Sequence, residues 1–140
     1  DKQALRNEAS VIFMAGHETT ANTLAWAWFL LSQSADAEKK MHDEIDTVLQ
    51  GRIPTLADIK NLHYTRAIIE EALRLYPPIP ILSRQTLQTI SYKEHRIQKG
   101  AILAVIPWLL HRNKQLWKNA DAFLPERFLP GNIKGKCTFS

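Results

Sequence analysis

The sequence predicts a mainly helical α+β chain with small antiparallel strands, on three observations. From Lys2 to Gln33, apolar residues recur on nearly every face of a helical wheel. Two further stretches, Asp36 to Gln50 and Tyr64 to Leu75, carry the period of amphipathic helices. Beyond Pro77-Pro78 the period shortens to that of strands.

The elements follow in order. The first helix runs Lys2 to Gln33 with a bend at Gly16. It is expected to be buried all round, because Val11-Ile12-Phe13-Met14 and Leu24-Ala25-Trp26-Ala27-Trp28-Phe29-Leu30-Leu31 leave it no polar face. The second helix covers Asp36 to Gln50, and Gly51 is a natural stop. Pro54 to Ile59 reads as a short helical connector. The third helix, Tyr64 to Leu75, ends before Pro77-Pro78 because the residue preceding a proline disfavours the helical region. Thr86 to Ile97 reads as a β-hairpin turning near Lys93-Glu94, and Ala101 to Ile106 as a short strand after Gly100. From Trp108 onward come a short helix and a proline-punctuated, irregular stretch. There is no repeat and no low-complexity segment.

Composition narrows the function classes. The chain has 140 residues, is 45% hydrophobic and carries a net charge of +4. Its Lys and Arg are scattered rather than blocked, which argues against nucleic-acid binding. A basic surface attractive to an acidic partner and an ordinary solvated surface fit that charge equally. A single cysteine, Cys137, excludes an internal disulfide framework. No signal-peptide pattern is present. The longest uncharged run, Thr19 to Ala35, is broken by Thr, Asn, Ser and Gln side chains and is a poor transmembrane candidate.

Local penalties concentrate at Ala15-Gly16-His17-Glu18-Thr19-Thr20. Gly16 weakens a helix by about 1 kcal/mol relative to Ala. The Glu18 carboxylate must find a partner, water or a proton. The two threonine hydroxyls compete for the helix's own carbonyls. Such a cluster marks a functional site, one able to hold a small polar ligand and pass it protons. A core helix with a small residue and a satisfied Glu is the plainer alternative. A zinc-protease motif is excluded, since His17-Glu18-Thr19-Thr20-Ala21 lacks the second His.

Two more signals follow: Glu71-Ala72-Leu73-Arg74, then Pro125-Glu126-Arg127-Phe128 preceded by His111-Arg112 and Trp117. In this order the three motifs resemble the cytochrome P-450 family of haem-thiolate monooxygenases, over essentially the whole chain. The resemblance implies that residues 1–140 are part of one larger domain, incomplete at both ends and unable to bury a core alone. It implies an oxidoreductase that activates oxygen and inserts one of its atoms into a small hydrophobic organic substrate. Haem b would be the cofactor, and O2 the co-substrate. Electrons would come from a reductase, ferredoxin or flavodoxin. Localisation stays open between the cytoplasm and the cytosolic face of a membrane.

Residue roles carry over from the family motifs. Ala15 and Gly16 would face the haem, while Glu18 would relay protons and Thr19 donate them. Thr20 reads as a packing hydroxyl and His17 as a packed or solvated residue. Glu71, Arg74 and Arg127 would form a structural charge cluster, against the alternative of an ordinary exposed ion pair. Arg84 and His111 match positions that contact haem propionates, and Ile79, Ile81 and Leu82 match a substrate-lining segment. The iron-ligand loop F-x-x-G-x-R-x-C-x-G does not fit around Cys137, where Ile133, Gly135 and Phe139 stand at its Gly, Arg and Gly positions. The ligand cysteine is therefore expected beyond Ser140, with no metal ligand in this segment. A non-catalytic helical fragment and a haem-thiolate enzyme that isomerises or dehydrates peroxides remain as alternatives. Intact Glu18-Thr19 favours oxygen activation over the latter.

Overall fold

A computed structural model describes residues 1–132. Three helices dominate: α1 (Lys2–Ser32), α2 (Ala35–Leu49) and α3 (His63–Leu75). Strands β1 (Leu82–Gln85), β2 (Ile90–Tyr92), β3 (His95–Ile97) and β4 (Ile102–Val105) follow, then a short α4 (Pro107–Leu110). Two 3-10 turns complete the order, Leu56–Asn61 between α2 and α3, and Pro125–Phe128 near the end.

The core lies where the three long helices meet. Ala27, Leu30 and Leu31 of α1 pack with Ala37 and Met41 of α2 and with Tyr64, Ile68, Ala72 and Leu75 of α3. Trp26 also stacks flat on Tyr76, with ring centroids 3.8 Å apart, tying α1 to the end of α3. The expectation of all-round burial for α1 is corrected here. Only Thr23, Ala27, Leu30 and Leu31 are buried, a single stripe at helical spacing. Val11, Ile12, Phe13, Met14 and Trp28 are exposed. Length is the reason: α1 extends for about 46 Å, and its much shorter neighbours cover only its C-terminal half. Nor does a widened turn interrupt it, since α1 continues as α-helix through Gly16.

Tertiary contacts supply what local sequence does not. Leu62, at the N-cap of α3, has no side chain able to accept a hydrogen bond. Glu44 of α2 does that work. Its Oε1 accepts from the Tyr64 amide at 2.6 Å, and its Oε2 from the Thr65 amide and hydroxyl, both at 2.9 Å. The connector is pinned by a capping box between Thr55 and Asp58. Arg52 grips the buried Asp58 with two bonds and, with Thr55, holds its carboxyl well below the usual range.

The strands form two separate antiparallel pairs. β2 and β3 make the hairpin, with Ile90 opposite Ile97 and Tyr92 opposite His95, and Lys93 in its turn at φ 52°. The expected hairpin arm from Thr86 is too long. Thr86 instead closes the other pair, its amide donating to Ala101 O and its hydroxyl to Gln98 O. The Ala101–Ile106 strand, observed as β4, pairs with β1, a strand that holds the expected lining residue Leu82 and the expected propionate contact Arg84 and that the sequence does not predict as a strand.

Removing the remote cap tests this packing. Glu44→Ala in the complete protein is expected to lose about 1–2 kcal/mol, the usual worth of an N-cap, and to lower the thermal midpoint. An unchanged midpoint would show that water caps α3 equally well.

Candidate functional site

On α3 the helical period sets Tyr64, Ile68, Glu71 and Leu75 along the buried face. Glu71 and Arg74, three apart, are neighbours there, with exposures of 0% and 2%. Arg74 binds Glu71 as a fork, Nε to Oε2 at 2.7 Å and Nη2 to Oε1 at 2.8 Å. Its remaining donors reach backbone carbonyls: Nη1 to His111 O and Ala120 O, both at 2.7 Å, and Nη2 to Ala122 O at 3.0 Å. Arg127 adds Nε to Glu71 Oε1 at 3.3 Å and Nη2 to Asn119 O at 2.7 Å. The Leu124 amide donates to the same Oε1 at 2.9 Å. A buried carboxylate thus has two cations and a backbone donor, and the cations have backbone acceptors. That satisfaction is what makes such burial tolerable.

His111 belongs to the same cluster. Its Nδ1 lies 3.1 Å from Arg74 O, and since a carbonyl only accepts, Nδ1 carries the proton. Burial pushes the His111 pKa down, against the opposing pull of that backbone bond. Trp117 meets the His111 ring edge-on and covers the Arg74 guanidinium at 5.1 Å.

The Ala15–Thr20 segment lies on the uncovered part of α1. The Thr19 hydroxyl donates to Ala15 O at 2.6 Å, and Thr23 donates to Thr19 O at 2.8 Å. Ala15, Gly16 and Glu18 are exposed, and a Cβ built on Gly16 would meet nothing within 4 Å. His17 is exposed and stacks on Phe13 at 5.5 Å. Thr20, read as a packing hydroxyl, is exposed and lines an open groove of ≈ 360 Å³ with Thr19, Thr23 and Leu24. Ile69, Leu73 and Pro78 form the other wall.

The structure therefore brings together Glu71, Arg74, Arg127 and His111. Glu18, Arg84, Ile79, Ile81 and Leu82 are exposed and lie outside that cluster. Arg84 stands on β1, with Nη1 donating to Ser83 O at 2.8 Å. Among the described residues, no group of His, Cys, Asp or Glu could hold a metal ion, and no helix is long and apolar enough to cross a membrane. Cys137, with Ile133, Gly135 and Phe139, lies outside the described residues. Sequence reasoning missed the backbone partners of the cluster at 119–124, because carbonyl positions leave no mark on side-chain identity. It also missed Glu126, whose one signal was a carboxylate beside Arg127.

Comparison with known proteins agrees with the motifs. Residues 1–140 match the family described as cytochrome P-450. The chain is 39% identical to cyclooctatin synthase of Streptomyces melanosporofaciens, over 94% of this chain and 29% of that protein. It is 38% identical to the chloroplastic carotene epsilon-monooxygenase of Arabidopsis thaliana, over 89% of this chain and 23% of that protein. To the Streptomyces cyclooctat-9-en-7-ol 5-monooxygenase it is 37% identical, over 96% and 29%. The chain thus spans less than a third of the length of these relatives.

Two outcomes are expected in the complete protein. Arg74→Ala strands Glu71 as a buried, half-compensated charge and should cost about 3–5 kcal/mol; a loss under about 1 kcal/mol would mean a surface pair. The folded pKa of His111 is depressed, so its contribution to stability is complete above the ordinary histidine range and is lost as pH falls through the folded value. In the haem-free form of the complete protein, where no propionate raises the ring's pKa, His111→Asn should therefore flatten the acid side of the stability–pH curve, read as thermal midpoints from pH 7.5 down to about 5. An unaltered slope would place the titration elsewhere.

Proposed function

The chain belongs to the cytochrome P-450 family, and on that premise we propose that it is the part of a haem-dependent monooxygenase carrying the oxygen-facing helix and the charge cluster. The complete enzyme would insert one oxygen atom of O2 into a hydrophobic organic substrate, with electrons from a reductase, ferredoxin or flavodoxin. Two relatives, carotene epsilon-monooxygenase and cyclooctat-9-en-7-ol 5-monooxygenase, are monooxygenases by name, which supports that reaction class. Apolar side chains exposed at Ile79, Ile81 and Leu82 support an apolar substrate.

The residues present fit haem b. Gly16 leaves open space beside the helix where a flat group can approach closely, and the adjoining groove mixes threonine hydroxyls with aliphatic walls. Arg84 holds an exposed guanidinium suited to bidentate carboxylate binding, here a propionate. His111 would serve the second propionate through Nε2, once that carboxylate draws a second proton onto the ring. When bound, haem with its thiolate ligand supplies the redox centre at which the O–O bond is cleaved. The thiolate would come from a cysteine beyond Ser140.

What the chain itself contributes is proton handling. Thr19 rests with its hydroxyl hydrogen on Ala15 O, which fixes the oxygen and directs its lone pairs away from the helix. To donate toward the groove the hydroxyl would turn away from Ala15 O, give up its proton there and take a replacement from water. Glu18, exposed one residue before, would recharge that water from solvent. The anchored Thr19 hydroxyl beside an open Gly16 is the observation that carries this reading.

In the complete enzyme, Thr19→Ala should preserve folding and haem content while diverting electrons to hydrogen peroxide. The quantity to measure is product formed per NAD(P)H consumed, expected to fall several-fold, short of the roughly 10²–10⁴-fold that a general acid contributes to rate. Unchanged coupling would remove Thr19 from proton delivery.

A further inference from the structure

The second 3-10 turn, Pro125–Phe128, touches α3 at two places. Arg127 reaches inward to Glu71. Its neighbour Glu126 reaches back to the first turn of α3, where Oε1 accepts from the Tyr64 hydroxyl at 3.0 Å. The same oxygen accepts from Lys40 Nζ of α2 at 2.8 Å, and Lys40 in turn pairs with Asp36 at 2.6 Å. Tyr64 and Glu71 lie on one face of α3, two turns apart, about 10.5 Å along the axis.

One contact lets a turn pivot, whereas two separated contacts fix its direction. Arg127 is held at 2.7 Å by Asn119 O, but its bond to α3 is the long one, 3.3 Å to Glu71 against 2.7 and 2.8 Å for Arg74. Glu126 also holds the chain that leaves the turn. Its carbonyl accepts from Asn132 Nδ2 at 2.7 Å and from the Leu129 amide at 3.3 Å. The chemistry suits a standing clamp. Tyr64 is 7% exposed, and burial together with the Glu126 bond pushes its phenol up, so it remains a donor. Burial alone would raise Glu126, but Lys40, its own backbone and Tyr64 together bring it below the usual range, so it remains a carboxylate.

We propose that Glu126 is a positioning residue, the second jaw of a clamp with Arg127 that sets the direction in which the chain leaves toward the iron-ligand loop. This rests on the haem reading above. The cluster of Glu71 and Arg74 secures the clamp's inner end; Lys40 and Tyr64 secure its outer end.

The test uses the complete haem-loaded protein. Glu126→Ala and Tyr64→Phe should leave helical circular dichroism and total haem content unchanged. Both should speed the conversion of the thiolate-type reduced carbon monoxide spectrum to the thiolate-lost form, by roughly twofold to fivefold for contacts of this exposure. The charge-swapped pair Lys40→Glu with Glu126→Lys should return the rate toward wild type. An unchanged rate in Glu126→Ala, spectral loss only in step with helix loss, or no recovery in the swap would each overturn the clamp. A wild-type protein without any thiolate spectrum would instead defeat the haem reading. The clamp would then be read from amide exchange at 126–129, faster in Glu126→Ala if it exists and unchanged if it does not.

Discussion

The irregular segment from His111 to Phe128 depends on keeping one carboxylate, Glu71, charged and out of water. An isolated carboxylate in that position would cost several kcal/mol. Here Oε1 alone accepts from Arg74, Arg127 and the Leu124 amide, while Oε2 accepts from Arg74. The requirement runs both ways. Arg74 is as buried as its partner, and its surplus donors oblige the carbonyls of His111, Ala120 and Ala122 to face inward. An irregular segment with almost no regular structure is thereby given a single shape. The cluster specifies conformation more than it adds stability, the role best attested for buried charges.

This division separates scaffold from site. The scaffold is the helical core plus the charge cluster, where polar groups are satisfied and side chains buried. The candidate chemistry lies apart from it, along α1 from Ala15 to Thr20 and on β1 at Arg84, where all side chains but the half-buried Thr19 are exposed. In a cytochrome P-450 those exposed faces are the ones that haem, substrate and the remaining chain would cover. Rigid support behind an open face is the arrangement a positioned catalytic group needs. Trp26 on Tyr76, and the buried stripe from Thr23 to Leu31, couple the two sides.

The helices were legible because their signal is local: apolar period, a Gly stop at Gly51, the Pro77-Pro78 terminator. Glu71 and Arg74 were legible as helical neighbours for the same reason. The pairing of β1 with β4 was not, since all of Leu82–Gln85 is exposed and shows no alternation of burial. The cap from Glu44 was hidden because it arrives from a different helix. Burial of α1 was overestimated because its neighbours among the described residues are too short to cover its N-terminal half. Glu126 went unread because its partners, Lys40 and Tyr64, are distant in sequence and unremarkable in composition.

The Leu124 amide offers the most direct measurement of the central claim. It sits in an irregular segment and donates to the Glu71 carboxylate at 2.9 Å. Native-state hydrogen exchange on the complete protein reports its opening free energy residue by residue. If Glu71 organises this segment, the Leu124 amide exchanges as slowly as the core of α3 and becomes fast in Glu71→Gln. Exchange at the rate of an exposed loop in the wild-type protein would contradict the account.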